Sequence, residues 1–166
     1  DEPAPLPFPF VLKAQVMIGG RGKAGGVKVC RNEEEYRRYA GEILRMEIKG
    51  HRVHGLLAEQ MVKAEKEFYL SITLQGVSEP TLIASRMGGM DIETVSKEHP
   101  EEIVKLPIDP FTGLKDYQLS YLAKKLRAED KKDLFSLVRQ VEKAFFHAGA
   151  LLVEINPLGT VKGKLV

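Results

Sequence analysis

Gly19-Gly20-Arg21-Gly22-Lys23-Ala24-Gly25-Gly26 places five glycines and two cations in eight positions, between the strand-like runs 10–16 and 27–30. Without β-carbons the backbone of such a loop can approach an anion closely and present its amides unhindered. Arg21 and Lys23 add positive charge, and Lys13 on the preceding run supplies a third cation, a combination suited to triphosphate oxygens. A solvated surface loop is the competing reading. No Ser or Thr follows Lys23, as a Walker loop requires, and the acidic ribose contact of a dinucleotide fingerprint is missing.

Around this loop the composition is that of an ordinary globular protein, 43% hydrophobic and 29% charged over 166 residues. The 25 basic and 23 acidic side chains are interspersed, so charge gives no argument for nucleic acid as a partner. No apolar run approaches the ~20 residues that span a bilayer. The lone Cys30 suits a reducing compartment, cytoplasm or mitochondrial matrix. Residues 1–9, acidic at the start with prolines at 3, 5, 7 and 9, read as a linker or cut end.

Downstream, Asn32 with Glu35 offers a capping-box-like start for a helix through Met46, burying Tyr36, Tyr39, Ala40, Ile43 and Leu44. Strands are predicted over 53–61, 67–75 and 81–85, the last two joined by a turn near Gly76, and again over 103–108 and 151–155. Helices are predicted over 91–97 and 117–126. Asp130 caps a third, in which Leu134, Leu137, Val138, Val141 and Phe145 form a core-facing stripe. Strands and helices in mixed order, with a hairpin, predict an α+β fold rather than a doubly wound parallel sheet. Near the end Glu154-Ile155-Asn156-Pro157 sets two hard oxygen donors on one strand face, a partial magnesium site, with Pro157 expected to end regular pairing.

Val11-Leu12-Lys13-Ala14-Gln15-Val16 and the glycine loop resemble the nucleotide-binding start of the succinate–CoA ligase β subunit. So do Ala58-Glu59-Gln60, Lys66 to Ser71, Leu82 to Ser85, Gly88 to Glu93, Ile108-Asp109-Pro110 and Glu154 to Leu158, all in the family's order. The resemblance implies an ATP-grasp fold over residues 10–166, incomplete at both ends and without the C-terminal ligase domain. It implies that Lys13, Gly20, Arg21 and Gly22 contact phosphates, that Glu59, Val62 and Glu67 lie on the nucleoside side, and that Asn156 holds Mg2+. Glu154 would orient a histidine of the partner α subunit that shuttles the phosphoryl group. His51, His54, His99 and His147 form no cluster of their own and read as surface residues.

The implied reaction is reversible: ATP or GTP phosphorylates the partner histidine, the phosphate passes to succinate, and coenzyme A displaces it as a thioester, a step of the tricarboxylic acid cycle. Met17-Ile18 stands where the family usually has His-Ala and Met87 where it has Glu, neither a phosphate ligand. Val62-Lys63 replaces a polar stretch beside the nucleotide, which leaves the choice of base open. A second metal-binding aspartate is expected just beyond Val166, so the chain alone is expected to bind nucleotide weakly and to turn over nothing. A stand-alone nucleotide-binding module, or the same domain from a malate-, citrate- or acetate–CoA ligase, are the alternatives.

Overall fold

The computed structural model describes residues 3–166, and they divide between Val62 and Lys63 into two compact units. Asp1 and Glu2 of the expected linker lie outside the described residues. Between residues 3 and 9 there is no helix or strand, but Ala4 and Leu6 pack against the core of the first unit and Phe8 stacks on Phe10, ring centroids 5.2 Å apart.

In the first unit β1 (Phe10–Gln15) is the middle strand of an antiparallel sheet, flanked by β2 (Val27–Cys30) and β5 (Gly55–Gln60). Alternation sends Phe10, Leu12 and Ala14 to one face, where they meet Ile43 and Tyr36 of α1 (Glu33–Leu44). Lys13 is left on the other face. The α1 cap forms through Asn32, whose Oδ1 accepts the Glu35 amide at 2.9 Å, while the Glu35 carboxylate reaches back to the amide of Arg31 rather than Asn32. Leu44 departs from the expected apolar stripe and is 47% exposed, as the last residue of the helix. The sequence reading also missed a hairpin, β3 (Glu47–Ile48) and β4 (His51–Arg52), turned by Lys49 and Gly50, both with positive φ.

The second unit is built on β6 (Lys66–Thr73), with β7 (Thr81–Ser85) and then β8 (Ile103–Pro107) on one side and β9 (Leu152–Val161) and β10 (Lys164–Leu165) on the other. All pairings are antiparallel, as the hairpin reading required. α2 (Ile92–Glu98) and a short 3-10 turn at Pro100–Glu102 link β7 to β8. The helices α3 (Asp116–Leu126) and α4 (Lys131–His147) cover one sheet face, burying Leu119, Leu122, Leu126, Leu134, Val138 and Phe145 against Phe68, Leu70 and Ile72. Asp130 caps α4 as expected, accepting the Asp133 amide at 2.9 Å.

Pro157 does not end β9. Pairing with β6 resumes at Leu158 opposite Phe68, and the register slips between that pair and Leu70–Ile155, so the proline sits in a bulge where its missing amide costs nothing.

The apolar stripe of α4 is interrupted by Glu142, which is buried. Its Oε1 accepts the Leu114 amide at 2.7 Å, and Arg139 Nη1 donates to both Glu142 Oε2 (3.3 Å) and the Leu114 carbonyl (2.5 Å). That clamp holds the 109–113 loop from below. From above, Asp109 accepts the amides of Phe111 and Thr112, which hold its carboxyl below the usual range. Glu142→Ala should therefore cost about 2–4 kcal/mol, as lost partners and a cavity add. Glu142→Gln, which keeps an acceptor for Leu114, should recover most of that loss in thermal or urea unfolding.

Candidate functional site

The expected site residues fall into both units: Lys13, Gly20, Arg21, Gly22, Glu59 and Val62 in the first, Glu67, Glu154 and Asn156 in the second.

The glycine loop of the first unit is a closed, internally bonded turn. The Gly26 amide donates to the Arg21 carbonyl at 2.9 Å, the Ala14 amide to the Gly26 carbonyl at 2.7 Å, and Arg21 Nη1 to the Ala14 carbonyl at 3.3 Å. Gly20 has φ +88°, which a larger residue would adopt only under strain. Gly26 is enclosed, and a β-carbon there would lie 3.0 Å from both Ala14 Cβ and Ile48 Cδ1. Lys13, on the sheet face away from α1, forms an ion pair with Glu59 of β5. The structure thus joins the expected phosphate and nucleoside ligands directly across two strands. Val62 is 55% exposed and takes part in neither contact. One cation escaped the sequence reading: Lys49, on the tip of the short hairpin, places its ammonium where a β-carbon on Gly20 would meet it at 3.2 Å. A Lys-Gly pair is a weak turn signal beside Asn-Gly, so nothing in the local sequence marked it.

In the second unit the turn after β7 is threaded over the β6–β9 bulge. The Gly88 amide donates to the Glu67 carbonyl at 3.0 Å, and a β-carbon on Gly88 would fall 2.4 Å from the carbonyl oxygen of Phe68. The next amide, that of Gly89, donates to Asn156 Oδ1 at 2.8 Å, while Asn156 Nδ2 donates to the Met90 carbonyl at 3.1 Å. Asn156 is therefore oriented unambiguously by one donor and one acceptor. The carboxylate of Glu67 lies beside Gly89, its Oε2 2.6 Å from where a β-carbon would be.

Glu154 is exposed on β9, directly opposite Ser71 of β6. One of its oxygens, Oε2, accepts the hydroxyl of the buried Tyr69 at 3.0 Å. Burial pushes the Tyr69 phenol up to about 12; the nearby Ser71 hydroxyl lowers it and the charge of Glu154 raises it further. Ser71 Oγ itself is enclosed and, though close enough to act on Tyr69, is not aligned for a hydrogen bond with any described group.

Among the described residues no three His, Cys, Asp or Glu side chains gather as a metal-binding cluster, and the four histidines are exposed and separate. A magnesium ion held mainly by phosphate oxygens needs few protein ligands, and Asn156 Oδ1 keeps a second lone pair after accepting Gly89. The residues present fit that limited role. A hollow of about 440 Å³ lies elsewhere in the second unit, between Arg86, Glu102, Tyr121, Lys124, Lys125 and Arg127, and includes none of the expected site residues. There Arg86 grips Glu102 at 2.6 and 3.0 Å and holds its carboxyl below the usual range. No helix among the described residues is long and apolar enough to cross a membrane.

Comparison with known proteins matches residues 7–160 to the ATP-grasp domain model. The chain is 43% identical over 150 residues to the succinate–CoA ligase [ADP-forming] subunit beta of Bacteroides fragilis, and 45% identical over 159 residues to that of Rubrobacter xylanophilus. These alignments cover 89% and 93% of the chain but only 39% and 42% of the two relatives, so the chain spans about two fifths of their length. Among solved structures, the dinucleotide-forming acetyl-coenzyme A synthetase 1 of Ca. Korarchaeum cryptofilum matches with a TM-score of 0.72 at 18% identity, covering 95% of the chain and 72% of that protein, a likeness of fold.

Two outcomes follow from this geometry. Gly88→Ala should destabilise the second unit by about 2 kcal/mol or more, because the new methyl meets backbone that the central strand cannot move; unchanged unfolding would refute the close approach. Tyr69 binds its proton more tightly folded than unfolded, so its contribution to stability is complete below about pH 10 and is lost as pH rises through about 12. Over that window the unmodified protein should lose up to about 3 kcal/mol more than Tyr69→Phe, measured by urea unfolding at successive pH values.

Proposed function

The chain belongs to the ATP-grasp domain family, and from that membership we propose that it is the nucleotide-binding part of a succinate–CoA ligase β subunit, working with an α subunit that carries a phosphorylated histidine. The observation that carries this reading is the glycine loop: a closed turn bearing Arg21, with Lys49 beside Gly20, next to the strand that presents Lys13.

Phosphoryl transfer asks little covalent chemistry of a protein and much positioning and charge neutralisation. Lys13, Arg21 and Lys49 supply the cations in this reading, and the amides of Gly20 and Gly22 approach the phosphates. Glu59, Val62 and Glu67 border the nucleoside. Asn156 Oδ1 would hold Mg2+, which when bound would neutralise charge on the triphosphate. Glu154 accepts the imidazole N–H of the partner's histidine and fixes its orientation. Succinate and coenzyme A are the other substrates of the proposed ligase, and the cytoplasm, or the matrix in a eukaryote, is the proposed location. ATP is preferred as the nucleotide because the relatives are ADP-forming enzymes.

Calorimetric titration with magnesium-ATP should give saturable binding, tighter than with magnesium-GTP. Lys13→Ala and Arg21→Ala should each weaken it roughly tenfold, the loss of one charge-assisted contact, with unfolding temperatures lowered only slightly, because each side chain lies outside the core and gives up one partly solvated contact. Full affinity in both variants would sink the phosphate assignment.

A further inference from the structure

We propose that Tyr69 is a positioning residue for Glu154: its hydroxyl donates to Oε2, restrains the carboxylate to one rotamer and leaves Oε1 as the acceptor for a partner's imidazole N–H. This rests on the reading of Glu154 given above.

An exposed glutamate ordinarily samples several rotamers, and fixing it in one costs side-chain entropy. Glu154 is exposed on the part of β9 that β10 does not pair. What holds it is one bond from a side chain that cannot itself move. Tyr69 is 3% exposed on the central strand, between the paired strands β7 and β9. Strand register makes the meeting possible. Glu154 is opposite Ser71, so Tyr69, two residues away on the same strand face, reaches it diagonally, within range of a long aromatic side chain.

The chemistry of the donor matters as much as its position. A lysine or arginine here would restrain the carboxylate equally well, but its charge would compete with an incoming imidazolium. A phenol that stays protonated lends a hydrogen bond and no charge, so Glu154 keeps its full negative charge for the histidine. Accordingly, Glu154 has no ion-pair partner among the described residues, and no described residue donates to Oε1. The enclosed Ser71 hydroxyl lies on the same face and makes no bond to Glu154, which makes it a natural control.

Two measurements test the proposal. In the chain itself, three-bond couplings of the Glu154 side chain should report one χ1 rotamer, and Tyr69→Phe should average it among several. Averaging already present in the unmodified chain would overturn the proposal without any activity assay. In the ligase assembled with its α subunit, Tyr69→Phe should slow histidine phosphorylation by roughly 10- to 100-fold while the KM for magnesium-ATP stays within about twofold. Added to Glu154→Gln it should do almost nothing more, because the two act as one unit. An unchanged rate in Tyr69→Phe beside a slow Glu154→Gln overturns the proposal, as does an equal loss in Ser71→Ala, which would assign the effect to packing of the sheet face. A normal rate in Glu154→Gln would instead reject the role given to Glu154, and the coupling measurement would then decide the Tyr69 restraint by itself.

Discussion

Six consecutive residues of β6, Phe68 to Thr73, are buried, and the second unit depends on that enclosure. The apolar members face α3 and α4 and supply the hydrophobic stabilisation. The alternate members, Tyr69, Ser71 and Thr73, point to the opposite face and are polar and just as inaccessible. A strand sealed on both sides cannot slip in register, because one step would exchange the apolar set for the polar one. The residues expected at the site are referenced to that fixed strand: Glu154 by a hydrogen bond to Tyr69, and Asn156 by the turn that Gly88 begins as it approaches the Phe68 backbone.

The bulge at Asn156-Pro157 shows how a local break in pairing serves the same end. Regular pairing would direct the residue after Ile155 by strict alternation. The extra residue frees Asn156 from the ladder, and its side chain turns to bridge Gly89 and Met90 instead. Proline is suited to this place because no ladder donor is wanted there. Reading Pro157 as a strand end took the missing amide at face value and overlooked that a bulge removes the need for it.

Much of the architecture was legible because it rests on local rules. Asn32 and Asp130 cap their helices as their position before a periodic run indicates, and the stripe from Leu134 to Phe145 packs as its spacing requires. The β3–β4 hairpin was not legible: two-residue strands are too short to show a period. Glu142 was hidden for another reason, since a carboxylate in an apolar stripe looks like an error until the loop amide it serves, 28 residues away, is in place. At the site the motif supplied residue names but not partners. Tyr69 and Glu154 are separated by 85 positions and Gly89 and Asn156 by 67, and only the pairing of β6 with β9 makes each a neighbour.

The ion pair of Lys13 with Glu59 bears on how the first unit would take up an anion. Both side chains are partly solvated, and such pairs contribute at most about 1 kcal/mol. The pair keeps Lys13 extended across the strands at little energetic depth, so in the proposed site a phosphate bearing several charges would draw the ammonium away for a small cost. A more deeply buried lysine would carry a desolvation penalty in the empty protein and its pKa would fall. A fully free one would have more rotamer entropy to lose on binding. Pairing with a half-exposed carboxylate lies between these limits, and it places the cation at the foot of a glycine turn whose backbone is already closed by its own hydrogen bonds. The loop and the lysine are therefore both held by contacts within the first unit, and in the proposed phosphate site the weak Lys13–Glu59 pair is one that binding would exchange.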